Sequence, residues 1–192
     1  ATPRIRGVGR IMQAYSCLWR VLSSGGTVGT RFHGLLIETD PRQLVDRQIL
    51  FMPQWYDYRE LQFLRRALMR GDRFVDVGAN IGAWTLVASR AIGDEGEVVA
   101  IEANPDVAKQ LSRTVSANRL NNVSVLSVGV SDHKSTLQLQ VNTTGNVGAS
   151  TFLEHDDKGM RGTSVPIACF PLSEVVAEPI SVLKLDVEGY EY

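Results

Sequence analysis

Two acids, Asp76 and Glu102, each close an apolar run, and Gly78, Asn80 and Gly82 lie just behind the first. In FVDVGANIG (Phe74–Gly82), β-favouring residues run into Asp76, glycines follow, and a helical pattern (Ala83, Leu86, Val87, Arg90, Ala91) comes next. That order reads as strand, tight turn and helix, a unit in which backbone approaches a ligand closely. A dinucleotide fingerprint needs G-x-G-x-x-G, whereas Asn80 leaves the spacing G-x-x-x-G. A carboxylate where the chain leaves the strand repels a pyrophosphate and suits a cation. S-adenosylmethionine carries a sulfonium and an ammonium and no phosphate, so Asp76 favours it over NAD. Glu102 ends the next apolar run, EVVAIEA, where a carboxylate can accept from both ribose hydroxyls of a nucleoside. Its alternative role is to cap the helix that Asn104-Pro105 opens.

A second concentration of chemistry lies in SVLKLDVEGYEY. From Val182 to Glu188, Lys184, Asp186 and Glu188 share one face at period two, and Leu183, Leu185 and Val187 share the other. A central parallel strand should be apolar on both faces. The charges therefore form either an ion-pair ladder in which Lys184 compensates an acid, or a reacting group at the strand's carboxyl end, where open α/β sheets bind ligands. Ser131 and Asp132, at the end of a third strand in VSVLSVGVSDH, suit either the edge of an adenine or a plain turn, and His133 beside them reads as exposed. The loop NTTGNVGASTFLEHDDKGMRG offers Asn146, Ser150, Thr151 and His155 as acceptor-binding groups. No His/Cys cluster has metal-ligand spacing, so no metal is expected.

These groups need an alternating α/β chain to hold them. RFHGLLIETD reads as a strand stopped at Asp40-Pro41, and Gln48–Met52 as a short strand ended by Pro53. WYDYRELQFLRRALMRG places Tyr58, Leu61, Leu64 and Leu68 on a helical face, flanked by Phe63 and Ala67 and closed by Gly71. Trp55, Tyr56 and Tyr58 either touch a ligand or staple the entry to that helix. Glu97–Ala103 is a buried parallel strand, Pro105–Leu120 a helix, and Ser135–Val141 alternates as a half-exposed strand. Residues 1–71 form a lead-in and 72–192 the ligand-binding core.

At 192 residues the chain suits one compact unit, and a net charge of −1 gives no reason for nucleic acid or an anionic membrane as an obligate partner. Cys17 and Cys169 lie in apolar surroundings without ligand spacing, as free thiols in a reducing, cytoplasmic setting do. Arg4, Arg6 and Arg10 precede a short apolar run, but Gln13 and Arg20 interrupt it and no transmembrane span is expected. Ile11, Tyr15, Leu18, Trp19 and Leu22 recur at helical spacing, an amphipathic face for the domain, a membrane surface or another chain.

DVGANIG, the acid-ended IEANP, the S-D turn and K-L-D-V-E-G-Y-E, in this order from about Gln48 onward, resemble the FkbM family of S-adenosylmethionine-dependent methyltransferases. The resemblance implies a class I methyltransferase fold, a Rossmann-like parallel sheet with helices on both faces, and O-methylation of a sugar or natural-product hydroxyl. It implies that Asp76, Gly78, Asn80 and Gly82 surround the methionine part of the cofactor, that Glu102 holds the ribose, and that Asp186 and Glu188 lie beside the methyl. Ala103 stands where the family usually has proline, and Leu172-Ser173-Glu174 where it commonly has L-D-E. Asp186 is the first choice of general base, with Glu188 or His155 next. The family's sheet has seven strands, whereas the chain ends after the fourth core strand, which predicts a fragment or shortened form that self-associates through an exposed sheet edge. The rival readings are a cofactor- or partner-binding unit without catalysis and a nicotinamide-dependent oxidoreductase.

Overall fold

The computed structural model describes residues 26–142, 150, 152 and 162–187. Asn146, Thr151, His155, Glu188, Gly189 and the N-terminal stretch with Cys17 lie outside the described residues.

The chain enters through a hairpin in which β1 (Val28–Phe32) and β2 (Leu35–Thr39) pair antiparallel with Phe32 opposite Leu35. His33 and Gly34 form the two-residue turn with φ of 49° and 87°, the left-handed conformation that such a tight hairpin requires. The pattern RFHGLLIETD, expected as one strand, is thus folded back on itself.

Gln48–Phe51, expected as part of a strand, is helical within α1 (Leu44–Phe51), and Met52 is the C-cap. A short apolar run carries no period that separates strand from buried helix. The helix aims Asp46 and Ile49 inward together, and there Asp46 Oδ2 accepts from the Asp40 N–H at 2.7 Å and from Gln110 Nε2 at 3.2 Å. The next helix, α2 (Tyr58–Ala67), buries Leu61 and Leu64, with Leu68 buried just beyond its end. Its contact stripe is narrow, so Tyr58 and Phe63 stay 49% and 71% exposed instead of joining the core.

Strand β3 (Arg73–Val77) leads into α3 (Ala83–Ile92), β4 (Glu97–Ile101) into α4 (Pro105–Ala117), and β5 (Val123–Leu126) follows. Asn104 caps α4 by accepting the Asp106 N–H at 3.1 Å, and Pro105 occupies the first turn, where its missing N–H costs nothing. VSVLSVGVSDH does not stay in one sheet. β6 (Gly129–Val130) leaves the main sheet to pair with β8 (Gly162–Phe170), which also pairs antiparallel with β7 (Ser135–Asn142). Gly129 permits the departure, because a Cβ there would collide with the Cys169 sulfur and the Phe152 ring. Along β7, buried Leu139 alternates with exposed Thr136 and Gln138, as the sequence period requires. Cys169 is a buried free thiol in this sheet.

After the short helix α5 (Leu172–Val175), β9 (Val182–Leu185) completes a parallel sheet of order β5-β4-β3-β9. One sheet face, through Phe74 and Val98, packs with Leu86 and Ile92 of α3 and with Phe32, Ile37, Ile49, Leu61 and Leu64 of the lead-in, so a single core joins hairpin, α1, α2 and sheet. The other face holds Val75, Val77, Val99, Ile101 and Val176. Leu183 and Leu185 extend that second face opposite Val75 and Val77, yet each is 45% exposed on the edge strand.

Candidate functional site

The carboxyl ends of β3, β4 and β9 open into a cleft, walled by the glycine loop, the start of α3, the tip of β4, β6 and part of β7. Its shape is set at Gly78. A Cβ there would overlap the carbonyl oxygen of Asp186, and φ is +73°, so only glycine lets the loop and the end of β9 touch backbone to backbone. The Asp186 N–H donates to the Val77 carbonyl at 3.2 Å, and Lys184 Nζ donates to the Gly78 carbonyl at 2.8 Å. The charged face of β9 is thereby tied to the loop from both sides.

The loop's own donors are engaged inside the protein. The Gly78 and Ala79 N–H groups share the Ile101 carbonyl at 2.9 and 3.0 Å, Gly82 N–H reaches Ala79 O at 2.9 Å, and Asn80 N–H donates to Glu102 Oε2 at 2.8 Å. Asn80 takes a left-handed φ of 50°, which asparagine tolerates better than most side chains. A pyrophosphate, which binds through such N–H groups, finds these four occupied.

Asp76 does not face the cleft, contrary to expectation. Its side chain points from within β3 to the face covered by α3, is fully buried, and accepts from Thr85 Oγ1 at 2.7 Å through Oδ2. Lys184 Nζ stands 3.1 Å from Oδ1, an ion pair without hydrogen-bond alignment, and 3.7 Å from Asp186 Oδ2. The ion-pair reading of the charged strand holds at Lys184, which compensates buried Asp76, and Lys184 and Asp186 also line the cleft.

Glu102 lines the cleft as expected. Its carboxylate bridges the two strand-end loops, with Oε2 on the Asn80 N–H and Oε1 on the Asn104 N–H at 2.9 Å. These bonds use part of its acceptor capacity, leaving lone pairs for a ligand. Burial pushes its pKa above the usual carboxylate range, while the Asn104 and Asn80 N–H groups and Lys184 pull the other way.

Ser131 and Asp132 do not reach the cleft. Ser131 Oγ donates to the His133 carbonyl at 2.6 Å and Asp132 pairs with His133 Nδ1 at 2.6 Å, which closes a surface turn before β7; His133 is exposed, as expected. Val128, Gly129 and Val130 supply that wall instead, because the strand leaves the main sheet two residues before them. Ser150 lines the cleft beside Phe152.

Tyr56 and Trp84 are further cleft residues. Of the three aromatics before α2, Tyr56 is the one turned inward, edge-on to Phe32 at 6.1 Å, whereas Trp55 and Tyr58 are exposed; burial raises the Tyr56 pKa. Trp84 donates from Nε1 to Asp57 Oδ2 at 3.0 Å, and Lys184 Nζ lies 6.0 Å from its ring centre. Its position two residues past Gly82, in the first turn of α3, is the sequence signal that locates it.

Among the described residues, no His/Cys/Asp/Glu group could hold a metal, and no helix is long and apolar enough to cross a membrane. The family model for the methyltransferase FkbM domain matches residues 76–192. A protein from Sulfurisphaera tokodaii named "Probable cobalt-precorrin-6B C(15)-methyltransferase (decarboxylating)" is 31% identical over 70 residues, 36% of each chain. The protein-L-isoaspartate O-methyltransferase of Ignicoccus hospitalis is 37% identical over 59 residues, 31% of this chain and 28% of its own. The chain thus spans about a third of the length of these relatives. The solved structure of M. jannaschii TYW2 in complex with AdoMet is similar with a TM-score of 0.43 at 22% identity, over 55% of this chain and 45% of that one.

Proposed function

Because the chain belongs to the FkbM methyltransferase family, we propose that it binds S-adenosylmethionine in the cleft at the ends of β3, β4 and β9 and methylates a hydroxyl of a sugar or natural product. The observation that carries the reading is the Glu102 carboxylate, fixed by two backbone N–H groups at the mouth of the cleft with acceptor capacity left over. The charges around it suit the ligand. Glu102 and Asp186 line the cleft, and the charge of Lys184 is shared with buried Asp76, so a sulfonium and an ammonium are welcome where a phosphate is not.

Bound there, S-adenosylmethionine supplies an electrophilic methyl group. Glu102 accepts from the ribose hydroxyls, and Ile101, Val107, Val128 and Val130 offer an apolar wall to the base. The acceptor oxygen would take the methyl as the carbon–sulfur bond breaks and a neutral thioether leaves, and Asp186, with its side chain 64% exposed beside the cleft, would take the hydroxyl proton. Lys184 holds Asp186 and the loop in register through its contacts with the Gly78 carbonyl and both acids. Much of the acceleration then comes from keeping acceptor and donor in line. Glu188 is the alternative base, next to Asp186 in the sequence motif. The acceptor class rests on the family.

Equilibrium titration with S-adenosylhomocysteine and NADH tests the cofactor. The homocysteine nucleoside should bind at least about a hundredfold more tightly, since the loop donors that NADH needs are occupied; tighter NADH binding would overturn the assignment. Asp186→Asn should lower methyl transfer by roughly 10²–10⁴-fold with cofactor affinity unchanged. An unaltered rate would remove Asp186 from the role.

A further inference from the structure

The end of α3 away from the cleft, about 15 Å along its axis for ten residues, carries a feature that methyl transfer leaves unexplained. Three guanidinium groups meet the two-residue turn of the hairpin. Arg65 Nη2 lies 2.9 Å from His33 Nδ1, Arg90 Nη1 donates to the His33 carbonyl at 2.8 Å, and Arg31 Nη1 reaches the Gly34 carbonyl at 3.5 Å. They come from three separate elements, α2, α3 and β1. Gly34 makes room for this, since a Cβ there would stand 2.6 Å from Arg90 Nη1.

None of the three has a carboxylate within ion-pair distance among the described residues, although Arg42, Arg73 and Arg113 are each paired. His33 adds no negative charge. Burial, then Arg65 and Arg90, hold its pKa below the usual histidine value, so the neutral ring accepts from Arg65 through Nδ1 and carries its proton on Nε2. That nitrogen is buried without a partner. Arg65, Arg90 and His33 line a concavity whose floor is Val87 and Ala91. Its charged side chains are donors that repel one another, and forked guanidinium groups are matched to the oxygens of phosphate.

We propose that this concavity, walled by Arg65 and Arg90 against His33, with Arg31 on the same turn, is an oxyanion site that takes a phosphate group. The phosphate belongs either to a soluble phosphorylated compound or to the headgroup of a phosphomonoester lipid. Both sources offer the same oxygens to the same arginines. The site is independent of the cleft and of its methyl-transfer reading.

Calorimetric titration of the full chain with inorganic phosphate, against chloride at matched ionic strength, tests it. Saturable binding of phosphate and none of chloride is expected, with Arg65→Gln weakening it at least fivefold and Arg65→Lys by less. Arg65 is exposed and bonds only to the His33 ring, so Arg65→Gln should keep the thermal midpoint of the wild type; Arg90→Gln, which also frees the turn, serves as a second variant. Co-sedimentation with phosphatidylcholine vesicles, with and without phosphatidic acid, separates the sources. Binding to free phosphate indicates a soluble ligand. Binding confined to phosphatidic acid vesicles and lost in Arg65→Gln indicates a lipid. Equal responses to phosphate and chloride combined with no preference for phosphatidic acid, or wild-type binding by Arg65→Gln, would overturn the proposal.

Discussion

Asp76 and Glu102 sit on adjoining parallel strands, and their carboxylates nevertheless live in different surroundings. Asp76 pairs in register with Ala100 inside the sheet, whereas Glu102 is the first residue beyond β4. Inside the strand, the pleat turns Asp76 to the face that α3 covers, and Thr85 and Lys184 must satisfy it. Just past the strand end, backbone N–H groups of two loops hold Glu102 at the cleft. A displacement of two residues along a strand thus separates an acid buried under a helix from one that lines the cleft.

The largest effect should come from stripping Asp76 of its cation. Lys184→Met leaves a buried carboxylate uncompensated and should destabilise the fold by about 3–5 kcal/mol in urea unfolding. The double variant Lys184→Met with Asp76→Asn should recover more than half. A loss under about 1 kcal/mol for the single variant would mean that the ion pair does not support the loop.

Glu102→Gln probes the other acid. It turns an amide donor toward one of two backbone N–H groups and weakens the ribose bonds, so S-adenosylhomocysteine affinity should drop about a hundredfold, or ~3 kcal/mol. Unchanged affinity would place Glu102 with Asp76 as a supporting acid.

Asp46 sharpens the contrast, being buried like Asp76 but without a cation. Burial raises its pKa from 3.8 to about 6, so the native state holds this proton more tightly than the unfolded chain. Its contribution is best below about pH 4 and is lost as the pH climbs to about 6. Asp46→Asn should therefore stabilise the protein at pH 7 by roughly 1–2 kcal/mol and flatten the stability profile over that range. A profile as steep as the wild type's would assign the titration elsewhere. The smallest effect is expected at the surface turn, where Ser131→Ala should leave S-adenosylhomocysteine affinity within about twofold; a larger loss would bring Ser131 back to the cleft.

Local chemistry was readable wherever one segment decided it. FVDVGANIG and EVVAIEA declared strand, glycine turn and helix, and Asn104-Pro105 declared the start of the next helix, because propensity and turn chemistry agree there. What escaped depended on distant partners. The His33-Gly34 turn lay hidden in a β-like run, and QILF belongs to a helix whose Asp46 meets Asp40 and Gln110. The departure of β6 from the sheet needed β8, which residues 162–170 did not announce as a strand. Within the site, Glu102, Lys184, Asp186 and Ser150 line the cleft, while Asp76 needed knowledge of what covers its face, and Ser131 and Asp132 needed the path of the chain after Leu126.

The backbone contact between Gly78 and Asp186 makes the glycine loop and the end of β9 share one hinge-free joint. The joint leaves no slack: a shift of the loop presses on the peptide that carries Asp186, and a shift of that peptide moves the loop. One missing methyl group thus locks the two halves of the cleft wall to each other.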